Sequence, residues 1–379
     1  MQIPFVNLTR ESNLIKKDLL QATEYVIDSG NYILGEKVKE LEECFASFCG
    51  VSNAIAVGNG SDGLKLIMKS LGIGLNDEVI CPANSFIASS WAIVDVGAKP
   101  VFIDVRSDNY LLDLRLLEGA ITPATKAILP VHLFGHPVNM DEVLAFAKEN
   151  DLKVIEDCAQ AVGSMWRGKP VGGFGDIGCF SFYSNKNISV GEGGMTSTSD
   201  DILHETLKSK RAHGMNSLVL DRHKGRSFSY DITNEGLNYR MDEIRAAMGI
   251  VQLAKLERNN SKRKNIYSTY IEMLKDTDIH VPFLNESMNS VSSHHIMPIL
   301  LPEGIDRNKV VAQLKEDGIQ SSMHYPAFWN FSSYKNIFDP NDTPVTKLIC
   351  DRQLTLPLYP NMFQNKVELV IASLLKACN

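Results

Sequence analysis

Along this chain, short continuous apolar runs alternate with stretches whose apolar residues return every three to four positions, the pattern of buried strands alternating with amphipathic helices. Residues 11–29 carry Leu14, Ile15, Leu19, Ala22 and Val26 at helical spacing. Gly30-Asn-Tyr-Ile-Leu-Gly35 interrupts them before a second helix over 37–49. The pattern then predicts strands at 54–57, 79–81, 100–104, 127–131 and 152–157, separated by helices at 64–71, 87–96, 113–121 and 141–149. A buried strand follows over 176–183, and Gly191, Gly193 and Gly194 mark a sharp turn. Regular alternation of this kind predicts an α/β fold, with a mostly parallel sheet sandwiched by helices.

Beyond the turn, helices are expected at 200–213, 242–259 and 261–275. A smaller set then begins: a strand at 292–301, a helix at 306–317 ended by Gly318, an extended segment at 321–326 and a last helix at 366–378. The expected organisation is a large domain over 1–256 and a smaller C-terminal α/β domain over 257–379. Within the large domain, after the 200–213 helix, Arg222, His223, Lys224 and Arg226 lie in a polar stretch, 214–230, that reads as a solvated loop.

With 379 residues, 44% of them apolar, the chain is long enough for two such domains around a large core. A formal net charge of −7 leaves no basic stripe, which argues against nucleic acid as a partner. Any anionic substrate must be met by a few local donors. The seven cysteines, at 44, 49, 81, 158, 179, 350 and 378, form no CxxC pair, so reduced thiols in a cytoplasmic protein are the expectation. No metal-ligand spacing occurs. His294 and His295, adjacent on an expected strand, would point to opposite faces and share no ion. No run of about 18 apolar residues is present, so no membrane span is expected.

The chemistry concentrates in Phe180-Ser-Phe-Tyr-Ser-Asn-Lys186-Asn-Ile-Ser-Val-Gly191-Glu-Gly-Gly194. Lys186 stands just past a strand end. A lysine partly withdrawn from water there is more often neutral and nucleophilic, as Schiff-base chemistry requires. A solvated loop lysine is the plain alternative. Upstream, a second strand ends in Asp157, with Gln160 three residues on. If the lysine carries pyridoxal phosphate, Asp157 suits the anion that keeps the ring nitrogen protonated, and its plain alternative is a helix cap.

Gly58-Asn-Gly60-Ser-Asp-Gly63 fits G-x-G-x-x-G between a strand and a helix, so a dinucleotide site has to be weighed. That site wants an acidic residue about 20 residues on, at the far end of the next strand. Asp77 and Glu78 come too early. The loop reads instead as helix N-terminal amides, including those of Ser61 and Asp62, cradling one phosphate. Phe86 is a candidate to stack on a cofactor ring, although an isolated phenylalanine is usually core. For His132 and His136, packing or a satisfied hydrogen bond is the default expectation.

Glu156-Asp157-Cys-Ala-Gln160, Gly172-Gly-Phe-Gly-Asp176, Phe180-Ser-Phe-Tyr-Ser-Asn-Lys186-Asn and Gly191-Glu-Gly-Gly194 resemble, in order and spacing, the pyridoxal-phosphate-dependent nucleotide-sugar aminotransferases of the DegT/DnrJ/StrS family. The resemblance runs from about Pro4 to at least Leu256. One departure is Ser184, where a proline is common. The resemblance implies a fold-type-I aminotransferase with Lys186 as the cofactor lysine; relatives with histidine there are dehydratases. It further implies that Gly60, Ser61, Asp62 and Ser181 hold the cofactor phosphate, that Phe86 stacks on the ring, and that Asp157 and Gln160 meet the ring nitrogen and phenolic oxygen. Asn238, in Gly236-Leu-Asn238-Tyr-Arg240, would reach the cofactor of a partner chain, implying a homodimer with shared sites. Tyr183, His324 and Tyr325 would face the nucleotide-sugar side. Glutamate is the implied donor. Pro82-Ala-Asn-Ser-Phe-Ile-Ala-Ser-Ser-Trp91 is most similar to members that aminate the 3-position, so a TDP-linked 3-keto-6-deoxyhexose is the expected acceptor. The alternatives are a 4-keto sugar on UDP or GDP, a sugar dehydratase and a nicotinamide oxidoreductase.

Overall fold

The structure, a computed structural model, describes residues 2–215, 231–232, 234–284, 288–334 and 339–378. Most of the basic stretch expected at 214–230, with Arg222, His223, Lys224 and Arg226, lies outside them. Nine strands precede Asp200: β1 (Asn53–Val57), β2 (Glu78–Pro82), β3 (Lys99–Ile103), β4 (Thr125–Ile128), β5 (Lys153–Asp157), β6 (Met165–Trp166), β7 (Lys169–Pro170), β8 (Ile177–Ser181) and β9 (Gly194–Thr198). Seven of them form one sheet in the order β1-β9-β8-β5-β4-β2-β3. β3, β2, β4, β5 and β8 are parallel neighbours, whereas β9 runs antiparallel to both β8 and β1. The C-terminal ends of β1, β2, β4, β5 and β8 therefore share one edge. In open α/β sheets this is the edge that holds ligands.

Strand β9 is absent from the sequence expectation. Gly-Met-Thr-Ser-Thr carries little apolar signal, yet all five residues are buried because the strand fills the gap between β1 and β8. Gly194 has to be glycine there. A Cβ would stand 2.6 Å from the Asn59 carbonyl carbon, where the first turn of helix Gly60–Ser70 presses on the strand.

The first expected helix is two, Leu8–Leu14 and Lys16–Ser29, separated at Ile15. Its apolar positions do not share one buried face: Val26 is buried, while Leu14 and Leu20 are about 60% exposed. The next helix, Glu36–Cys49, buries Val38, Leu41, Phe45, Ala46 and Cys49, and Gly50 at φ 67° ends it. Phe45 meets Phe180 of β8 edge-on at 4.8 Å, which anchors this helix against the strand that leads to Lys186. A fully buried ring of that size contributes about 2–3 kcal/mol.

The C-terminal part gathers Ile3, Tyr267, Tyr270, Leu274 and residues out to Leu374 around a two-stranded antiparallel sheet of β11 (Met297–Leu300) and β12 (Gln353–Leu356). A short strand, β10 (Ser290–Val291), pairs with β6 instead. Helix Leu256–Leu274 serves both parts, with Leu256 in the large core and Ile266 in the small one. The division expected at 256/257 falls at the first residue of this helix, and Ile3 packs with the C-terminal part. The strand expected at 292–301 is shorter. His294 adopts φ 47°, and the amides of Ser293 and His295 donate to the carbonyls of Gly135 and Phe134, away from the β11 ladder. The two histidines do face apart: His295 meets Asn187, and His294 packs edge-on against His136.

Candidate active site

At the C-terminal edge of the sheet lies a cavity of about 600 Å³. Gly60, Ser61, Asp62, Phe86, Asp157, Gln160, Ser181, Tyr183, Lys186, His324 and Tyr325, eleven of the twelve residues expected from sequence, line it. The twelfth, Asn238, is exposed elsewhere on the chain, where its Oδ1 accepts from Arg240 Nε at 2.9 Å.

Lys186 enters from the loop after β8, and its backbone N–H is bonded to Tyr183 O at 2.8 Å. Loss of hydration lowers its pKa from 10.5 to about 8, although nearby Asp157 pulls the other way. Part of the amine is therefore neutral near physiological pH, and Lys186 lines the cavity only partly exposed, which argues against the solvated-loop reading. The loop is held by the next residue. Asn187 Nδ2 donates to Asn260 Oδ1 (2.8 Å) and Ser293 O (3.0 Å), so its Oδ1 must accept from His295 Nδ1–H (3.0 Å). Burial keeps His295 neutral, its pKa well below the ordinary value.

Asp157 ends β5, 5% exposed. Its Oδ1 accepts from the Ala159 amide at 3.0 Å and its Oδ2 from Ser89 Oγ at 2.7 Å. The first of these is a local Asx turn; no helix begins here to be capped. Each carboxylate oxygen has two acceptor sites, so capacity remains toward the cavity. Gln160 is more committed than expected: its Oε1 accepts from Phe134 N (2.9 Å) and its Nε2 donates to Tyr325 OH (2.6 Å). One amide hydrogen is left for a ligand.

At the other end of the cavity, the helix starts at Gly60, not near Leu64. Asn59 caps it, and its Oδ1 takes the Asp62 amide at 2.8 Å. The Asp62 N–H expected to meet a phosphate is thus already occupied. That leaves the first-turn amides of Gly60 and Ser61 available at this end of the cavity, beside the Ser181 hydroxyl. A Cβ on Gly60 would meet Ser181 Cβ at 3.0 Å, and one on Gly63 would meet Cys179 Sγ at 2.7 Å, so these glycines let the helix seat on β8. The two acids that follow the loop, too early in the chain to serve a dinucleotide site, are engaged elsewhere. Asp77 Oδ2 accepts from Gly74 N at 2.9 Å, and Glu78 pairs with Lys99 at 2.8 Å.

Phe86 is half exposed, and its ring lies 5.4 Å from that of Tyr325. His324 stacks on Phe5 at 5.5 Å and bonds Thr355 Oγ1 through Nδ1 at 2.9 Å. Desolvation, then Lys186, lower the His324 pKa to about 4, so its imidazole is neutral near physiological pH. Tyr183 stands at the rim, 46% exposed. Sequence reading missed Asn59, Ser85, Ser89 and Asn187; the only local signal was the Ser85/Ser89 spacing of one helical turn.

Behind the sheet, Glu156, His132 and Cys158 bring ligand-type atoms within 4.8 Å of one another. Their hydrogen bonds leave a cation little. Val138 N–H donates to His132 Nδ1, so Nε2–H donates to Glu156 Oε2 at 3.1 Å. Glu156 also accepts from the amides of Gly172, Phe174 and Gly175. Both histidines flanking Phe134-Gly135 are packed: His136 stacks on Phe283 at 3.6 Å.

A partly neutral lysine, a fixed carboxylate with spare acceptor capacity, an aromatic face and a phosphate-sized set of helix amides fit pyridoxal phosphate, end to end, in one cavity. The comparisons agree. The profile of the DegT/DnrJ/EryC1/StrS aminotransferase family matches residues 13–375. The chain is 36% identical over 370 residues to the dTDP-3-amino-3,6-dideoxy-alpha-D-galactopyranose transaminase of Aneurinibacillus thermoaerophilus, covering 97% of this chain and 98% of that one. It is 34% identical over 366 residues to a UDP-N-acetyl-3-dehydro-alpha-D-glucosamine 3-aminotransferase of Acidithiobacillus ferrooxidans, 96% and 95% of the two chains. Its fold matches S. venezuelae DesV, solved in complex with a ketimine intermediate, with a TM-score of 0.91 and 32% identity over 100% and 99% of the chains.

Proposed function

We propose a substrate, a donor and an assembly for this chain, which belongs to the DegT/DnrJ/EryC1/StrS aminotransferase family. It is a pyridoxal-phosphate-dependent aminotransferase of nucleotide sugars. Its acceptor is a nucleotide-linked 3-keto sugar, a TDP-linked 3-keto-6-deoxyhexose in the reading we favour, and its donor is glutamate. Two relatives named for different nucleotides share amination at carbon 3, which supports the carbon more than the nucleotide.

When bound, the cofactor supplies an electrophilic carbon for amines and a ring that delocalises the charge left by proton removal at Cα. Lys186 Nζ would hold it covalently and, as a free amine, would take the proton from the donor's Cα; a pKa of about 8 suits that exchange near neutral pH. Asp157 would hold a proton at the ring nitrogen. The amides of Gly60 and Ser61 with the Ser181 hydroxyl would bind the phosphate; Phe86 would cover the ring face; Gln160 would offer its remaining amide hydrogen to the phenolic oxygen. Tyr183, His324 and Tyr325 would take the sugar nucleotide, His324 as an uncharged group. The observation that carries this reading is the pairing of Lys186 and Asp157 on one cavity.

The assembly we propose is a homodimer in which Asn238 of each subunit reaches the other's cofactor phosphate. Its exposed position, outside its own chain's cavity, supports this, as do the exposed Leu14, Leu20, Tyr25, Ile27, Tyr32 and Ile33 near the N-terminus. All seven cysteines are free, five of them buried, which suits the reducing cytoplasm, and among the described residues no helix is long and apolar enough to cross a membrane.

The test is to follow the two half-reactions separately, with 3-keto and 4-keto sugars on TDP, UDP and GDP. Turnover of the 3-keto sugar on TDP is expected to lead, and His324→Ala is expected to slow only the sugar half; a 4-keto preference would refute the regiochemistry. For the assembly, mixing Lys186→Ala with Asn238→Ala chains should regenerate activity from two inactive variants. Mixtures that stay inactive would show each site to be built within one chain.

A further inference from the structure

The segment that carries Phe86 to the cavity also carries two serines that the mechanism above does not use. Ser85 and Ser89 are each 2% exposed and one helical turn apart, at the start of helix Ile87–Asp95. Their hydroxyls are 2.8 Å from each other, and Ser89 Oγ is 2.7 Å from Asp157 Oδ2. Proton counting fixes the direction of this chain. An ionised carboxylate only accepts and a hydroxyl has one hydrogen, so Ser89 donates to Asp157 and must accept from Ser85. Both bonds then point at the carboxylate, and each polarises the next among three nearly buried groups. The amide of Ala159 fixes the other oxygen at 3.0 Å. The Asp157 carboxylate is thus clamped at both oxygens, with its plane set by β5 on one side and by the Phe86 segment on the other.

We infer that Ser89, backed by Ser85, is a positioning residue: a two-hydroxyl relay that donates to Oδ2 and aims the Asp157 carboxylate at the cofactor's ring nitrogen. The relay rests on the reading of the cavity as a pyridoxal-phosphate site. Phe86 lies between the two serines in sequence, so a single segment sets both the contact on the ring face and the anion at its nitrogen. Removing a donor from a buried carboxylate makes its charged form less favourable. The ring proton is then shared more evenly, with consequences for the colour of the bound cofactor as well as for rate.

The experiment compares Ser89→Ala, Ser89→Cys and Ser85→Ala with the wild-type holoenzyme, reading the pH midpoint of the cofactor's visible band, the cofactor dissociation constant and the glutamate half-reaction. Cysteine preserves the buried shape while weakening the donor, which separates packing from hydrogen bonding. Both Ser89 variants are expected to shift the midpoint upward by about half to one unit and to slow the half-reaction about tenfold with little change in the KM for glutamate. Ser85→Ala should move both in the same direction by less. The inference is overturned if Ser89→Cys titrates and turns over as wild type does, or if Ser89→Ala loses only thermal stability while its midpoint stays put. A wild-type protein with no pH-responsive visible band at all would instead overturn the cofactor reading beneath it.

Discussion

Glu156 and Asp157 are neighbours on β5, and the strand's alternation sends one carboxylate behind the sheet and the other in front. Behind the sheet, Glu156 is fully buried and engaged by His132 and three backbone amides of the 172–175 turn. Burial by itself would push its pKa up, but the His132 and backbone donors more than offset this and hold it below the ordinary carboxylate value. In front, Asp157 has only two donors and faces a cavity that also contains Lys186. Two acids of similar burial are therefore distinguished by what remains unfilled. A saturated carboxylate fixes a turn, whereas one with acceptor capacity facing a cavity can act on a ligand.

The sharpest way to break this comparison is to neutralise each acid in turn. Asp157→Asn should retain the fold and the cofactor yet lose activity by a factor on the order of 10²–10³, since a neutral amide cannot hold a proton on the ring nitrogen. Glu156→Gln should do the reverse, losing about 3 kcal/mol of stability from a broken buried network, with the folded fraction still active. Denaturation midpoints and turnover numbers measured on both variants decide the matter. An Asp157→Asn enzyme with unchanged turnover, or a Glu156→Gln protein that is stable but inactive, would reverse the roles.

A smaller effect tests the front region without cofactor. The Lys186 pKa is depressed in the folded chain, from 10.5 to about 8, so between these values the unfolded state binds more protons and stability rises with pH. The penalty for a charged Lys186 is thus complete below about pH 8 and gone above about pH 10.5. Lys186→Met should accordingly stabilise the cofactor-free protein at pH 7 by about 1–2 kcal/mol, after discounting for water in the cavity, and the gain should fade toward pH 10.5. A gain that does not change with pH would indicate better packing instead.

The same contrast marks what the sequence could convey. Lys186, Asp157, Ser181 and the Gly60 turn lie at the ends of regular elements, so hydrophobic periodicity followed by a polar residue locates them, and their motifs identify them. The β9 strand did not announce itself, because its polar residues are buried by their neighbours in the sheet rather than by their own composition. Asn59 was overlooked as a cap, and with it the loss of the Asp62 amide. Contacts such as Gln160 to Tyr325, 165 positions apart, or Ser89 to Asp157, 68 apart, depend on how distant segments meet and leave no local trace. The early helix was read as one because spacing alone does not tell a buried stripe from an exposed one.

The account stands or falls on which side chain carries the cofactor. Borohydride reduction of the holoenzyme, followed by peptide mass spectrometry, fixes the cofactor to the amine it is bound to. The phosphopyridoxyl group is expected on the Lys186 peptide alone, and to be lost from that peptide when glutamate is added before reduction. Label on a different lysine, or none on a protein that still transfers amino groups, would contradict it.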